Sequence, residues 1–367
     1  MRLVYLTTLS YPSRFANRLQ VMKMSEAFSR ITDFTLFVSC VEENKEDVFV
    51  NYHVTHPIHI EQIGPTKRWP QSFWMARKLA KKIKSEPADT VFYVRELPLA
   101  FWLTLLSKKF RKAFFFEAQS LEKFHILFYN RVFPRARGII TSSRKKADLL
   151  QNMYGIPARK TTVFGNAVDL EEFQSASALE SILKKNSVPR NKPIVMYAGS
   201  LQSDYGIHTM IAAAGILANE ATFILIGRCD FDITLPNIVR IEQVPRHEIP
   251  RYLMDADILI APYSDKNYFI KQYSVPIKIS EYMAAGKPFI ISDMPSIREV
   301  LNESLATFVK PDDPQDLAEK IRWVIAHPDE AAVKVKNAKE AVKKRTWNAR
   351  AETIVDFISQ NVMNTSQ

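Results

Sequence analysis

A lysine and a glutamate three residues apart, Lys278 and Glu281, lie between Pro276 and Gly286 in the run SVPIKISEYMAAGKPFIISD (274–293). The proline suits the first turn of a helix, where its missing N–H would be unpaired anyway. Gly286 suits the other end, as a residue able to take the left-handed conformation that stops a helix. A helix starting at Ser274–Pro276 aims free backbone N–H groups and a positive dipole end outward, which is a natural seat for phosphate. Lys278 adds a full charge one turn on; the competing reading is a solvated lysine. Glu281, whose ionised carboxylate only accepts, is suited to the vicinal hydroxyls of a ribose. Ser274, Val275, Pro276 and Ile277 then form the phosphate-facing approach, and the segment is suited to a nucleotide diphosphate. Arg228, directly after Gly227 in TFILIGRCD, either contacts phosphate or forms a surface salt bridge.

Such groups need a scaffold that opens a crevice at strand ends, and the chain supplies its pattern. Short β-branched or aromatic runs alternate with helical stretches, the signature of βαβ units and parallel sheets. The first half offers LVYLTT, TLFVSC, TVFYV, KAFFFEA, GIITSS and KTTVFGN, with Val21, Met24 and Phe28 striping the first helix. A polar segment, KKNSVPRNKP (184–193), interrupts the alternation and reads as a linker. It restarts with PIVMYAGS, a helix carrying Ile207, Met210, Ile211 and Ala214, then TFILIG, NIVRIE, DILIAPY, KPFIIS and ATFVK. The expectation is an α/β protein of two doubly wound Rossmann-like domains: residues 1–185, residues 190–345, and a terminal helix in 346–367 that can cross back to the first. In such sheets ligands bind outside the carboxyl ends of the strands, here in a cleft between facing domains.

At 367 residues, two domains are the first expectation, and 47% hydrophobic against 24% charged residues is the balance of a soluble globular chain rather than a disordered one. The apolar run 97–106 is half the length of a membrane span. Cys40 and Cys229 have no metal-ligand spacing, so no metal site is expected, and a cytoplasmic location follows. Charge is asymmetric: residues 1–185 carry 29 Lys/Arg against 17 Asp/Glu, an excess of 12, whereas the whole chain has a net +11. An anionic partner for the first half is implied. Segment 67–84 sets Trp69, Phe73 and Trp74 beside Lys78, Lys81, Lys82 and Lys84. With residues 107–112, it reads as contact with an anionic membrane surface, peripherally on the inner face. The alternative is an ordinary helix whose core face is Phe73, Ala76, Leu79, Ala80 and Ile83. Nucleic acid is not expected, because no zinc module, RNP-type aromatic pattern or helix-turn-helix signature is present.

The run 274–293 resembles the donor-binding segment of family 4 glycosyltransferases of the GT-B fold. NAVD (166–169), YAGSLQSDYGIHTMI (197–211) and SYPSRFANRLQVMKMSEAF (10–28) are similar to other parts of that family, so the resemblance covers nearly the whole chain. It implies a retaining, metal-independent transfer of a hexose-like residue from a nucleotide-diphosphate sugar, bound without further cofactor, to a glycan or lipid-linked acceptor. It also implies that Glu281 holds the donor ribose and that Lys278 meets phosphate. Gly199, Ser200, Gly227, Val244 and Tyr273 fall on the donor side. Asn17 reads as a helix-start residue, with an acceptor-side contact as the alternative.

Four positions depart from the family pattern. Tyr273 stands where a second glutamate grips sugar hydroxyls, Ser200 and Tyr205 stand where an arginine and a lysine meet the diphosphate, and Gln119 replaces a histidine near the reacting carbon. The diphosphate's developing charge is then left to Lys278, helix amides and Arg228, with Gln119 as a sugar hydrogen-bonder or a plain loop residue. The other reading these departures allow is a nucleotide-binding or partner subunit without turnover.

Overall fold

The computed structural model describes residues 1–12, 16–42, 48–50, 52–65, 70–119, 126–177, 181–185 and 188–363. Two compact units divide the chain: Met1–Gly165 with Trp347–Gln367, and Asn166–Thr346.

Among its described residues the first unit has strands β1 (Arg2–Leu6), β2 (Ser10–Tyr11), β3 (Asp33–Val38), β4 (Cys40–Val41), β5 (Ile60–Gln62), β6 (Val91–Val94), β7 (Phe114–Ala118), β8 (Gly138–Thr141) and β9 (Thr161–Val163). Seven of them form one parallel sheet in the order β5-β3-β1-β6-β7-β8-β9, while β2 pairs with β4 alone. FFFEA is buried along its whole length, as expected of a parallel strand covered on both faces. The helix Ala16–Ile31 buries Val21, Met24 and Phe28, the stripe its spacing announces. The helix Trp347–Met363 packs on it and completes this unit's core with Trp347, Ala351, Ile354 and Ile358.

That last helix also brings a charge inside. Arg350 is fully buried and its guanidinium meets the Glu117 carboxylate at 2.7 Å, where the Tyr93 hydroxyl also donates at 2.8 Å. Burial opposes ionisation of Glu117, but Arg350 and Arg95 outweigh it and hold the carboxyl down at about 2.

The second unit's described residues give β10 (Ile194–Ala198), β11 (Thr222–Ile226), β12 (Ile238–Ile241), β13 (Ile258–Ala261), β14 (Phe289–Ser292) and β15 (Thr307–Val309). They form a parallel sheet in the order β12-β11-β10-β13-β14-β15, so the winding reverses between β10 and β13. The boundary differs from the expected linker at 184–193. Residues 166–185 join this unit because Val168, Phe173, Ile182 and Leu183 enter its core, and Asp255 accepts from the Ser181 hydroxyl (2.9 Å) and the Leu183 amide (3.0 Å). Entry and exit are stitched together, with the Val168 amide donating to the Arg345 carbonyl at 2.9 Å.

At the reversal two glycines are required by space as well as angle. Gly199 (φ 151°) and Gly227 (φ 146°) end β10 and β11, and a Cβ on Gly227 would collide with the Gly199 carbonyl. We expect Gly227→Ala to lower stability by about 1–3 kcal/mol through backbone strain alone, read as a lower thermal midpoint. No helix among the described residues is long and apolar enough to cross a membrane.

Candidate functional site

The carboxyl ends of β10, β11 and β13 gather around the point where strand order reverses, the usual place for a ligand in an open α/β sheet. Facing it is the helix Lys278–Ala285. Its start is later than the expected Ser274–Pro276. Pro276 disfavours a helical Val275, and Ser274 is already extended (φ −92°, ψ 114°), so winding begins only at Ile277 (φ −60°, ψ −31°). The Ile277 and Lys278 amides donate to no acceptor among the described residues and remain available at the helix's positive end. Gly286 ends the helix in the left-handed region, at φ 65°.

Several bonds fix this helix. The Tyr282 hydroxyl donates to the Ile260 carbonyl on β13 (3.0 Å), and the Ser280 hydroxyl donates to the Asn166 carbonyl (3.0 Å). The Asn166 side-chain amide donates in turn to the Val275 carbonyl at 2.7 Å. One residue of NAVD therefore holds both the approach loop and the first turn.

Lys278 is half-buried, its ammonium 5.0 Å from the Tyr197 ring centre and 5.8 Å from that of Tyr205. It lies across Gly199, where a Cβ would strike it. Among the described residues no carboxylate forms an ion pair with it. Burial lowers its pKa to about 8, with Glu281 opposing that shift and Arg246 adding to it. A lysine held by ring faces, close to giving up its proton, gains from an incoming anion.

Glu281 is buried, and its Oε1 accepts from the Arg246 guanidinium. Its Oε2 has no protein donor among the described residues and is left to accept from a ligand hydroxyl. Arg246 escaped the sequence reading; the signal was an arginine just after the β12 edge, in QVPRHEI, two residues from Val244.

The remaining expected residues divide by position. Gly199, Gly227, Ser200 and Val244 stand on the loops after β10, β11 and β12; Ser200 is exposed and its carbonyl accepts from the Tyr197 hydroxyl at 3.0 Å, while Val244 is half-buried against the core. Tyr273 is half-buried at the end of the helix Tyr268–Tyr273, its ring 6.1 Å from that of Tyr268. Arg228 does not turn to Lys278: its side chain is 82% exposed and pairs with Asp230 at 3.3 Å. Gln119 lies in the first unit, where its side-chain amide donates to Glu117 and its carbonyl accepts from Lys146 at 2.7 Å. Asn17 falls in the first turn of its helix, and its side chain, like Trp69 and residues 67–68, lies outside the described residues.

Two parallel sheets, each with one winding reversal, and an open helix start at the reversal of the second define a GT-B protein. Family models agree in both halves: Glycosyltransferase Family 4 matches residues 22–172 and Glycosyl transferases group 1 matches residues 179–341. Each of the two models covers somewhat under half of the chain, and between them most of it is matched to glycosyltransferases. TuaC of Bacillus subtilis, assigned to teichuronic acid biosynthesis, is 25% identical over 199 residues, 52% of this chain and 48% of that protein. The chain thus spans about half that relative's length. The O-antigen chain mannosyltransferase RfbU of Salmonella typhimurium is 22% identical over 288 residues, 75% of each chain. Anabaena Alr3699/HepE, solved in complex with UDP, has the same fold, with a TM-score of 0.75 at 16% identity over 98% of this chain and 100% of that one.

Proposed function

We propose that the chain moves a sugar from a nucleotide-diphosphate donor, with retention and without a metal, to a glycan or lipid-linked acceptor in cell-surface polysaccharide synthesis. One observation carries the reading: the Lys278 ammonium lies against Gly199 at the end of β10, on the helix whose Ile277 and Lys278 amides are free, three residues from the buried Glu281 carboxylate. The amides and ammonium hold the diphosphate and stabilise it as the bond from the anomeric carbon to phosphate oxygen breaks. Glu281, oriented by Arg246, takes a ribose hydroxyl on its free oxygen. The names of TuaC and RfbU place those relatives in surface-polymer synthesis, which supports the choice of pathway class.

A second reading, a nucleotide-binding subunit without turnover, draws on uncharged Ser200 and Tyr205, the outward Arg228, and Gln119 bound to Glu117. Incubation of the purified chain with a panel of nucleotide sugars separates them, because slow donor hydrolysis is expected of an enzyme and none of a binding subunit. Thermal shift with UDP, GDP and their sugars tests the site itself. A ligand at about a hundred times its dissociation constant adds about 2.7 kcal/mol, and no shift with any nucleotide would refute both readings.

The lysine gives this binding a pH signature. Folding lowers its pKa from 10.5 to about 8, so between those values the folded chain has released a proton that the unfolded chain keeps, and stability rises with pH across that window. Ligand binding has the opposite sense. A diphosphate favours the ammonium, so UDP affinity falls as pH rises through about 8, and binding there takes up a proton. Calorimetry in two buffers of different ionisation enthalpy reads that uptake, which Lys278→Met abolishes.

A further inference from the structure

On the second unit a cavity of about 1110 Å³ opens at the edge of the sheet away from Lys278. Its floor is the loops that enter β10, β13 and β14, at Pro193, Asp257 and Pro288. It therefore sits at the amino ends of these strands, whereas Gly199 and Lys278 meet at the carboxyl end of β10. One wall is the end of the helix Pro314–Ala326, with Val324 and Ile325, and the other is a face of the helix Pro328–Val342. Small-molecule sites occupy about 300–1,000 Å³, so the space takes a whole ligand rather than an ion.

The helix face is divided along its length. Ala331, Ala332 and Val335 come first and Lys336, Lys339 and Lys343 follow, at the three- and four-residue spacing that keeps them on one side. Ile325, close in the chain to that first half, is 41% exposed. From Ala331 to Lys339 the helix rises about 12 Å, which separates an apolar end from a cationic one.

The cations are unequally engaged. Arg190 donates to the Asp255 carbonyl at 2.6 Å and pairs with its carboxylate at 3.6 Å, Lys192 donates to the Ala218 carbonyl at 3.1 Å, and Lys343 pairs with Glu340 at 2.5 Å. Asp257, the other carboxylate in the lining, accepts from the Ile194 amide at 2.8 Å. Lys336 and Lys339 form no ion pair and donate to no acceptor among the described residues, and Lys339 lies across Gly286. Lys287, the next residue, is equally without a bonded partner among the described residues. Burial lowers its pKa, with Asp257 opposing the shift, Arg190 adding to it and Asp255 opposing it.

We propose that this cavity binds a soluble phosphate monoester with an aliphatic body, its chain along Val324, Ile325, Ala331 and Val335 and its phosphate among Lys287, Lys336 and Lys339. A phosphate monoester brings about −1.5 to −2 charges at neutral pH, which answers several ammonium groups where a carboxylate brings a single charge. Inorganic phosphate would satisfy the lysines but leave the apolar half in water. A nucleotide is a poor occupant, because no aromatic ring is among the lining residues to stack on its base. The inference stands whether or not the carboxyl ends of the strands carry out sugar transfer.

Calorimetric titration of the whole chain with decyl phosphate, below its micelle threshold, tests it. Saturable binding is expected, with inorganic phosphate and the neutral decyl maltoside each at least about tenfold weaker, since each lacks one of the two contacts. Lys336→Glu and Ile325→Asp, both at exposed positions, should each weaken binding about tenfold while the unfolding midpoint and any UDP-induced shift stay unchanged. Lys81→Glu, the same charge change in the first unit, should leave the affinity at the parent's value. No saturable binding, equal binding of decyl maltoside, or an equal loss with Lys81→Glu would overturn the proposal. So would equal affinity for inorganic phosphate, which marks a simple anion site, and displacement by UDP, which puts the ligand at the other end of the strands. Uptake only by micelles or phosphatidylglycerol vesicles would mark a surface effect and end it as well.

Discussion

The Lys278→Ala variant is expected to consume a nucleotide-sugar donor about 10²–10³-fold more slowly than the parent, while its affinity for the free nucleotide falls much less. The difference follows from when the charge matters. Under the proposed function, the diphosphate of a bound donor is already shared among helix amides and solvent, and the base and ribose contribute their own contacts. As the sugar leaves, negative charge grows on the oxygen it leaves behind, and the Lys278 ammonium is the cation held by Tyr197 and Tyr205 at the crevice. Water cannot replace it with a pre-oriented charge, so the loss, about 2.7–4 kcal/mol, appears in turnover. Gly199 makes the contrast testable from the other side: Gly199→Ala puts a methyl group where the ammonium lies, so it should reproduce the kinetic loss with the lysine still present. Donor consumption and nucleotide affinity measured on both variants decide the matter. Unchanged turnover in Lys278→Ala removes the lysine from the mechanism.

Arg350→Ala is expected to be the most destabilising single change in the first unit, by about 3–5 kcal/mol, because it takes the hydrogen-bonded counter-charge from the buried Glu117 carboxylate and leaves it only the charge of Arg95. Both side chains are 1% exposed, so water cannot compensate. Urea unfolding of the parent and variant gives the difference. Removing both charges with Glu117→Gln and Arg350→Met together should cost clearly less than the two single losses added, since neither partner is then left alone. The pair also predicts an acid limb. Glu117 falls from 4.5 to about 2 on folding, so its contribution is complete above about pH 4.5 and is lost as pH falls toward 2. A flat stability profile over that window in the parent would contradict the assignment.

The strand plan was legible because each element is local. Every run read as a strand forms one, since a fully covered parallel strand shows as a short apolar or aromatic run whatever surrounds it. The strands it missed are short: β5, Ile60–Gln62, has three residues, carries a glutamate and sits at the sheet edge, and β2 and β4 have two residues each, so none leaves a run to see. Within the site, Lys278 and Glu281 were legible because helix spacing relates them directly. Arg246 was not, because it reaches Glu281 from 35 residues away through the loop after β12, and Asn166 reaches Val275 from 109 residues away. The Glu117–Arg350 pair spans 233 residues, and nothing near either residue in the chain announces the other.

The closing helix has a consequence for biogenesis. Because Trp347–Met363 belongs to the same unit as β1, a ribosome delivers the whole of the second unit before it delivers the piece that finishes the first. Until Arg350 emerges, Glu117 has only Arg95 of its two counter-charges and the surface under Ile354 and Ile358 is bare, so vectorial synthesis favours the middle of the chain maturing ahead of its beginning.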